Sequence, residues 1–171
     1  MVRISIAWFL IAQAWQPIEQ RTLGMPVQGM AMSDVRDTFL ETRGGQRRHE
    51  ATDIIAKRGT PVLAVEDGTI QRLLLSVPGG ITIYQFDSSG HYCYYYAHLE
   101  RYAASLKDGA RVKKGDTIGY VGTSGNAGPD NPHLHFGITV VPVNKRYWGG
   151  EAINPYPILR ASYNRMTGDR R

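Results

Sequence analysis

One cysteine, Cys93, in 171 residues leaves no possibility of an intrachain disulfide. Set between tyrosines in a strand-like run, it reads as a small buried residue rather than a nucleophile, which would need a polarising neighbourhood. No long hydrophobic run is present. The N-terminal stretch Ile4 to Ile11 is too short to span a bilayer, and no other segment is a transmembrane candidate, so the chain is not expected to be an integral membrane protein. Zinc-finger and homeodomain spacings are missing, as are Lys/Arg-rich helices interleaved with aromatics, which argues against nucleic acid as the partner. There is no internal repeat and no low-complexity tract. Acidic residues are the scarcer charge, 15 against 20 Lys and Arg, for a net charge of +5. That balance suits an acidic partner such as an anionic lipid or an anionic cell-wall polymer.

What is present is globular: 42% hydrophobic and 20% charged residues, enough for one domain with one core. Nineteen glycines and nine prolines imply many turns. From Thr60 onward, short apolar runs ("PVLAVE", "GTIQRLLLS", "ITIYQF", "YCYYYAHL", "KKGDTIGYVG", "HLHFGITVV") alternate with turn signals such as "PGG" and "DSSG". Short connections imply antiparallel pairing. The expected fold is mainly β, an antiparallel two-layer or barrel-like sheet with one or two short helices. "SDVRDTF", with Ser33 as N-cap, and "ERYAASL" are the helix candidates. Four regions are expected: a signal peptide over 1–14, a linker or irregular N-terminal wrap over 15–30, the main domain over 31–160, and a basic tail over 161–171. The first rests on Arg3, the apolar run and Ala12-Gln13-Ala14, a small-residue cleavage pattern.

Four of the five histidines are candidates for chemistry. His133 and His135 stand two apart in "NPHLHFGI". On a strand they share one face while Leu134, Phe136 and Ile138 take the other. In a cleft such a pair makes a metal site or an acid–base pair; otherwise it is two polar residues on a solvated face. His49 and Asp53 lie four apart in "RRHEATDI". A fully extended chain would hold them roughly 13 Å apart, so both reach one ion only on bent backbone. The helix motif His-Glu-x-x-His is absent, because position 53 is Asp, and Glu50 is not that motif's base. In a regular strand, Tyr92, Tyr94, Tyr96 and His98 share a face, with Cys93, Tyr95 and Ala97 opposite. Tyr96, nearest His98, is the candidate to line a site, and Tyr92 and Tyr94 read as a sheet-packing stripe. His91 falls in a turn and reads as exposed. Asn126 and Pro132 shape the loop before the last strand, and Arg43, Arg47 and Arg48 flank His49. One of these arginines could hold a substrate carboxylate or an oxyanion; the ordinary alternative is a solvated basic surface.

The combination is more specific than its parts. "HEATDI", "RGTPVLAVEDGTI", "YYAHL", "VKKGDTIGYVGTSGNAG" and "PHLHFGI" follow in an order that resembles the lysostaphin-type (LytM-type) zinc metalloendopeptidases, which cut peptidoglycan cross-links. The resemblance runs from about residue 31 to "INPYPIL", and departs from the family where Ala51 stands in place of its frequent glycine. It implies Zn2+ as cofactor, with His49, Asp53 and His135 as ligands and His98 and His133 as the catalytic histidines. Tyr96, Asn126 and Arg47 are candidate substrate contacts. It implies a peptidoglycan substrate. The expected signal peptide makes the protein extracytoplasmic, periplasmic or secreted, and a monomer is expected. Two other classes stay open: a catalytically inert wall-binding regulator of the same fold, and a sugar-transport phosphocarrier domain, whose β-rich motif "VKKGDTIGYVG" resembles.

Fractionation of expressing cells is expected to find the protein exported and cut near Ala14. Full-length protein starting at Met1 and retained in the cytoplasm would be the contrary result.

Overall fold

A computed structural model describes residues 16–43, 45 and 47–168. The expected signal peptide therefore lies outside the described residues. The first strands, β1 (Thr42–Arg43) and β2 (Arg47–Arg48), form a separate hairpin. Among the described residues the main sheet has nine strands. These are β3 (Thr52–Ile55), β4 (Pro61–Leu63), β5 (Gly68–Ser76), β6 (Gly80–Asp87), β7 (Tyr92–Tyr102), β8 (Arg111–Val112), β9 (Thr117–Val121), β10 (His133–Val140) and β11 (Ala152–Ile153). All the pairings are antiparallel, in the order β11-β10-β7-β6-β5-β8, with β3 on β10 and β9 joining β4 to β7. The mainly β, antiparallel expectation holds, and the sheet does not close into a barrel. Among the described residues no helix is long and apolar enough to cross a membrane.

Alternation builds the core. Leu134, Phe136 and Ile138 of β10, Ile54 of β3, and Tyr94 and Tyr96 of β7 are fully buried on one face. Ile18, Leu23 and Val27 of the irregular N-terminal segment sink into the same cluster. Arg21 ties that segment down through Glu66 at 2.9 Å and Asp87 at 3.0 Å.

Three local expectations are corrected. Ser33 is not an N-cap: it lies inside a 3-10 turn over Met32–Asp34, which Ala31 precedes. "ERYAASL" is not helical at its start, because Glu100 to Tyr102 extend β7 and pair with β9. The segment from residue 161, read as a tail, is helical to Thr167. Helix α1 (Pro155–Thr167) starts at Asn154, whose side chain accepts the Tyr156 N–H, with Pro155 in its first turn, and stops at Gly168 in the left-handed region. These are strong start and stop signals. The helix buries Ile158 and Leu159, and its Ser162 hydroxyl accepts from Leu23 N–H.

A further correction concerns Tyr96. His98 has φ +60°, and the β6–β7 register shifts between Ile83↔Tyr96 and Ile81↔Leu99. This bulge puts an extra residue into β7 and reverses its parity. Tyr96 therefore lies in the core rather than beside His98. Its hydroxyl donates to Gln85 Oε1 at 2.8 Å and accepts from Val65 N–H at 3.2 Å. Replacing Tyr96 with Phe leaves two buried polar groups short of a partner. Denaturant unfolding is expected to show a loss of about 1–3 kcal/mol.

Candidate metal centre

The face of the sheet opposite the core carries the chemistry. The β10–β3 register sets His135 directly across from Asp53, and the β10–β7 register sets it across from Ala97. Directly opposed residues project to the same side of a sheet. His49 lies just before β3. It reaches the same point because Glu50 takes φ +58°, supplying the bend that an extended chain lacks. Its neighbours hold the bend: His49 N–H bonds Glu41 O at 2.9 Å and Glu50 N–H bonds Phe39 O at 3.0 Å.

The result is a tight triangle. His49 Nε2 lies 2.9 Å from His135 Nδ1 and 3.0 Å from Asp53 Oδ1, and His135 Nδ1 lies 3.1 Å from the same oxygen. Tetrahedral zinc with bonds of 2.0–2.1 Å spaces its ligands by roughly 3.3 Å, so the triangle fits such an ion with little movement. The donor chemistry fits as well. His49 Nδ1–H donates to Thr38 O at 3.0 Å, which leaves Nε2 of the neutral ring as a lone pair facing inward. Burial lowers the His135 pKa, although Asp53 opposes this. Burial alone would raise the Asp53 carboxyl, but the His135 and His49 rings beside it hold it well below the usual carboxylate range. Two imidazole nitrogens and a carboxylate oxygen converge, the donor set a divalent cation takes.

His98 and His133 flank the triangle. Their ring centroids are 4.9 Å apart, and His98 is 5.6 Å from His135. Each is oriented through Nδ1: His98 donates to Ser124 O and His133 to Asn131 O, both at 2.8 Å. Their Nε2 atoms are thereby left for the cleft. The Ser124 carbonyl is placed by two glycines that let the 123–131 loop touch the turn before β6. A Cβ on Gly80 would meet Ser124 C at 2.3 Å, and one on Gly125 would meet Gly80 N at 2.3 Å. Burial pushes the His98 pKa down to about 4.

Of the remaining sequence candidates, Arg47 and Asn126 line the cleft with the histidines, and Tyr96 does not. Tyr95 takes its place, with its ring 5.8 Å from His135. His91 is exposed, away from the cluster. Arg43 emerges as the arginine in contact with the triangle. Its guanidinium bonds Asp53 Oδ2 and lies 3.3 Å from His49 Nε2. The sequence signal for Arg43 was the run of arginines around His49. Nothing in the sequence pointed to the carbonyls of Thr38, Ser124 and Asn131, since any residue carries one.

A His/Asp/His triangle flanked by two further imidazoles, on the open face of an antiparallel sheet, defines a site of the metallopeptidase class. The chain belongs to peptidase family M23, which matches residues 47–155. It is 38% identical over 133 residues to an L-Ala–D-Glu endopeptidase of Bacillus subtilis, covering 74% of this chain and 39% of that protein. It is 35% identical over 102 residues to the peptidoglycan DD-endopeptidase ShyC of Vibrio cholerae, covering 60% of this chain and 22% of that protein. The chain thus spans well under two thirds of either relative. The catalytic domain of lysostaphin from Staphylococcus simulans superposes with TM-score 0.63 at 28% identity, over 75% of this chain and 95% of that one. Membership of a peptidase family replaces the phosphocarrier alternative.

The depressed His98 pKa has a consequence for stability. Between pH 6.5, the ordinary histidine value, and about 4, the unfolded chain binds a proton that the folded one does not. His98 therefore contributes a loss of stability as pH falls through that window and none above it. Proton NMR of the metal-free chain is expected to place the His98 midpoint near 4. A midpoint at the ordinary value would show a solvated ring.

Proposed function

We propose that the chain is a zinc-dependent endopeptidase that hydrolyses the peptide cross-links of bacterial peptidoglycan. The observation that carries this reading is the convergence of His49 Nε2, Asp53 Oδ1 and His135 Nδ1 beside two oriented imidazoles. His49, Asp53 and His135 would hold the ion. Zinc, when bound, supplies Lewis acidity toward water and a carbonyl oxygen. The protein's own part is proton movement. One of the His98 and His133 Nε2 atoms takes the proton of the attacking water and passes it to the leaving amine. The other, once protonated, donates to the oxyanion that develops on the carbonyl. Each ring holds its tautomer because its Nδ1–H stays on a backbone carbonyl through the cycle. No side-chain nucleophile is required.

The relatives named L-Ala–D-Glu endopeptidase and peptidoglycan DD-endopeptidase support the substrate class. The net charge of +5 favours an anionic wall. The inert-regulator reading is disfavoured because all five positions are filled.

Zinc-loaded protein incubated with purified sacculi is expected to release muropeptides cut at a peptide bond, identified by mass spectrometry. Elemental analysis is expected to find one zinc per chain. His135→Ala and Asp53→Ala should lose both metal and cleavage. His98→Ala and His133→Ala should keep zinc and lose roughly 10²–10⁴-fold in turnover. An unaltered rate in all four variants, or a chain that takes up no zinc, removes the hydrolase reading.

A further inference from the structure

The β1–β2 hairpin overhangs the triangle, and its arginines are unequal. Arg43 and Arg47 are directly opposed in the hairpin register, so both side chains leave the same face. Thr42 and Arg48 are opposed in the next pair and leave the other face. Arg43 is committed: it bonds Asp53 Oδ2 and lies 3.7 Å from Glu41. The Arg47 side chain has no hydrogen-bond or ion-pair partner among the described residues. It nevertheless lines both lobes of the cleft, of about 170 and 130 Å³, together with His49, His98, His135 and Asn126. Among the described residues the one carboxylate lining either lobe is Asp53, and Arg43 and the histidines already hold it.

An arginine facing a cleft with its five donors unspent is matched to a planar carboxylate, which it grips through two parallel bonds. We propose that Arg47 is a specificity-determining residue that binds a free carboxylate on the substrate beside the scissile amide. The proposal deepens the endopeptidase reading and rests on it. Stem-peptide residues such as D-glutamate and diaminopimelate carry such a carboxylate. A glycine bridge carries none, so the cleft should favour the former class.

The test uses the zinc-loaded full chain and two synthetic cross-linked stem peptides, identical except that the carboxylate beside the scissile amide is free in one and a carboxamide in the other. Binding is read by fluorescence anisotropy and cleavage as kcat and KM. The free acid is expected to bind roughly tenfold or more tightly, the value of a charge-assisted contact. Arg47→Gln should reduce the acid-to-amide ratio to about one, mainly through KM, with zinc content unchanged. Arg47→Lys should restore part of the ratio. Arg48→Gln, on the opposite face, should preserve it. Equal binding of acid and amide by the wild type, or an undiminished ratio in Arg47→Gln, overturns the proposal. Preferential binding of the acid with cleavage of neither peptide upholds it and counts against the endopeptidase reading alone.

Discussion

One register holds the cleft together: His135 of β10 stands directly opposite Asp53 of β3. A slip of one residue in that pairing would turn both side chains to the other face. The slip is resisted from beneath. Leu134, Phe136 and Ile138 of β10, and Ile54 of β3, are fully buried on the reverse face. Each such side chain contributes roughly 1.5–3 kcal/mol by burial, so exposing them together would cost more than the cleft contacts return. The core thereby specifies the position of the polar groups above it.

Two loops, the segment before β1 and the 123–131 loop, complete what the register begins. Their contribution is backbone carbonyls rather than side chains: Thr38 O for His49, Ser124 O for His98 and Asn131 O for His133. Each carbonyl fixes a tautomer and aims the other ring nitrogen inward. Two residues stand in the left-handed region to make this possible, Glu50 next to His49 and His98 itself. Non-glycine residues rarely adopt that conformation, and strain of this kind gathers where function over-determines the backbone. The metallopeptidase-class site and these strained positions coincide.

The surroundings divide by charge. Inside, burial lowers the His98 and His135 pKa values, while His135 and His49 hold the Asp53 carboxyl below the usual carboxylate range. Outside, the hairpin places Arg43 and Arg47 over the rim. Imidazole nitrogens converging with one carboxylate suit a cation, and the arginines of the rim suit negative charge. The two preferences lie within a few ångströms of each other without cancelling, because Arg43 spends its charge on Asp53.

Much of this was legible in the sequence, where the signal was periodic or local. The period-2 pattern of "HLHFGI" separated the imidazole face from the core face, and the turn residues between short apolar runs marked an antiparallel sheet. The order of His49, Asp53, His98, His133 and His135 pointed to peptidase family M23. Side-chain alternation needs no partner strand to be read. Everything that depended on a partner strand or a bend was decided by the tertiary structure. The bulge at His98 exchanged Tyr96 for Tyr95, because parity counts only while the strand stays regular. The hairpin register, not proximity in sequence, separated Arg47 from Arg48 and gave Arg43 its carboxylate. The bend at Glu50 brought His49 to Asp53 because contacts with residues 39 and 41 hold it there, and such contacts are a property of the folded chain alone.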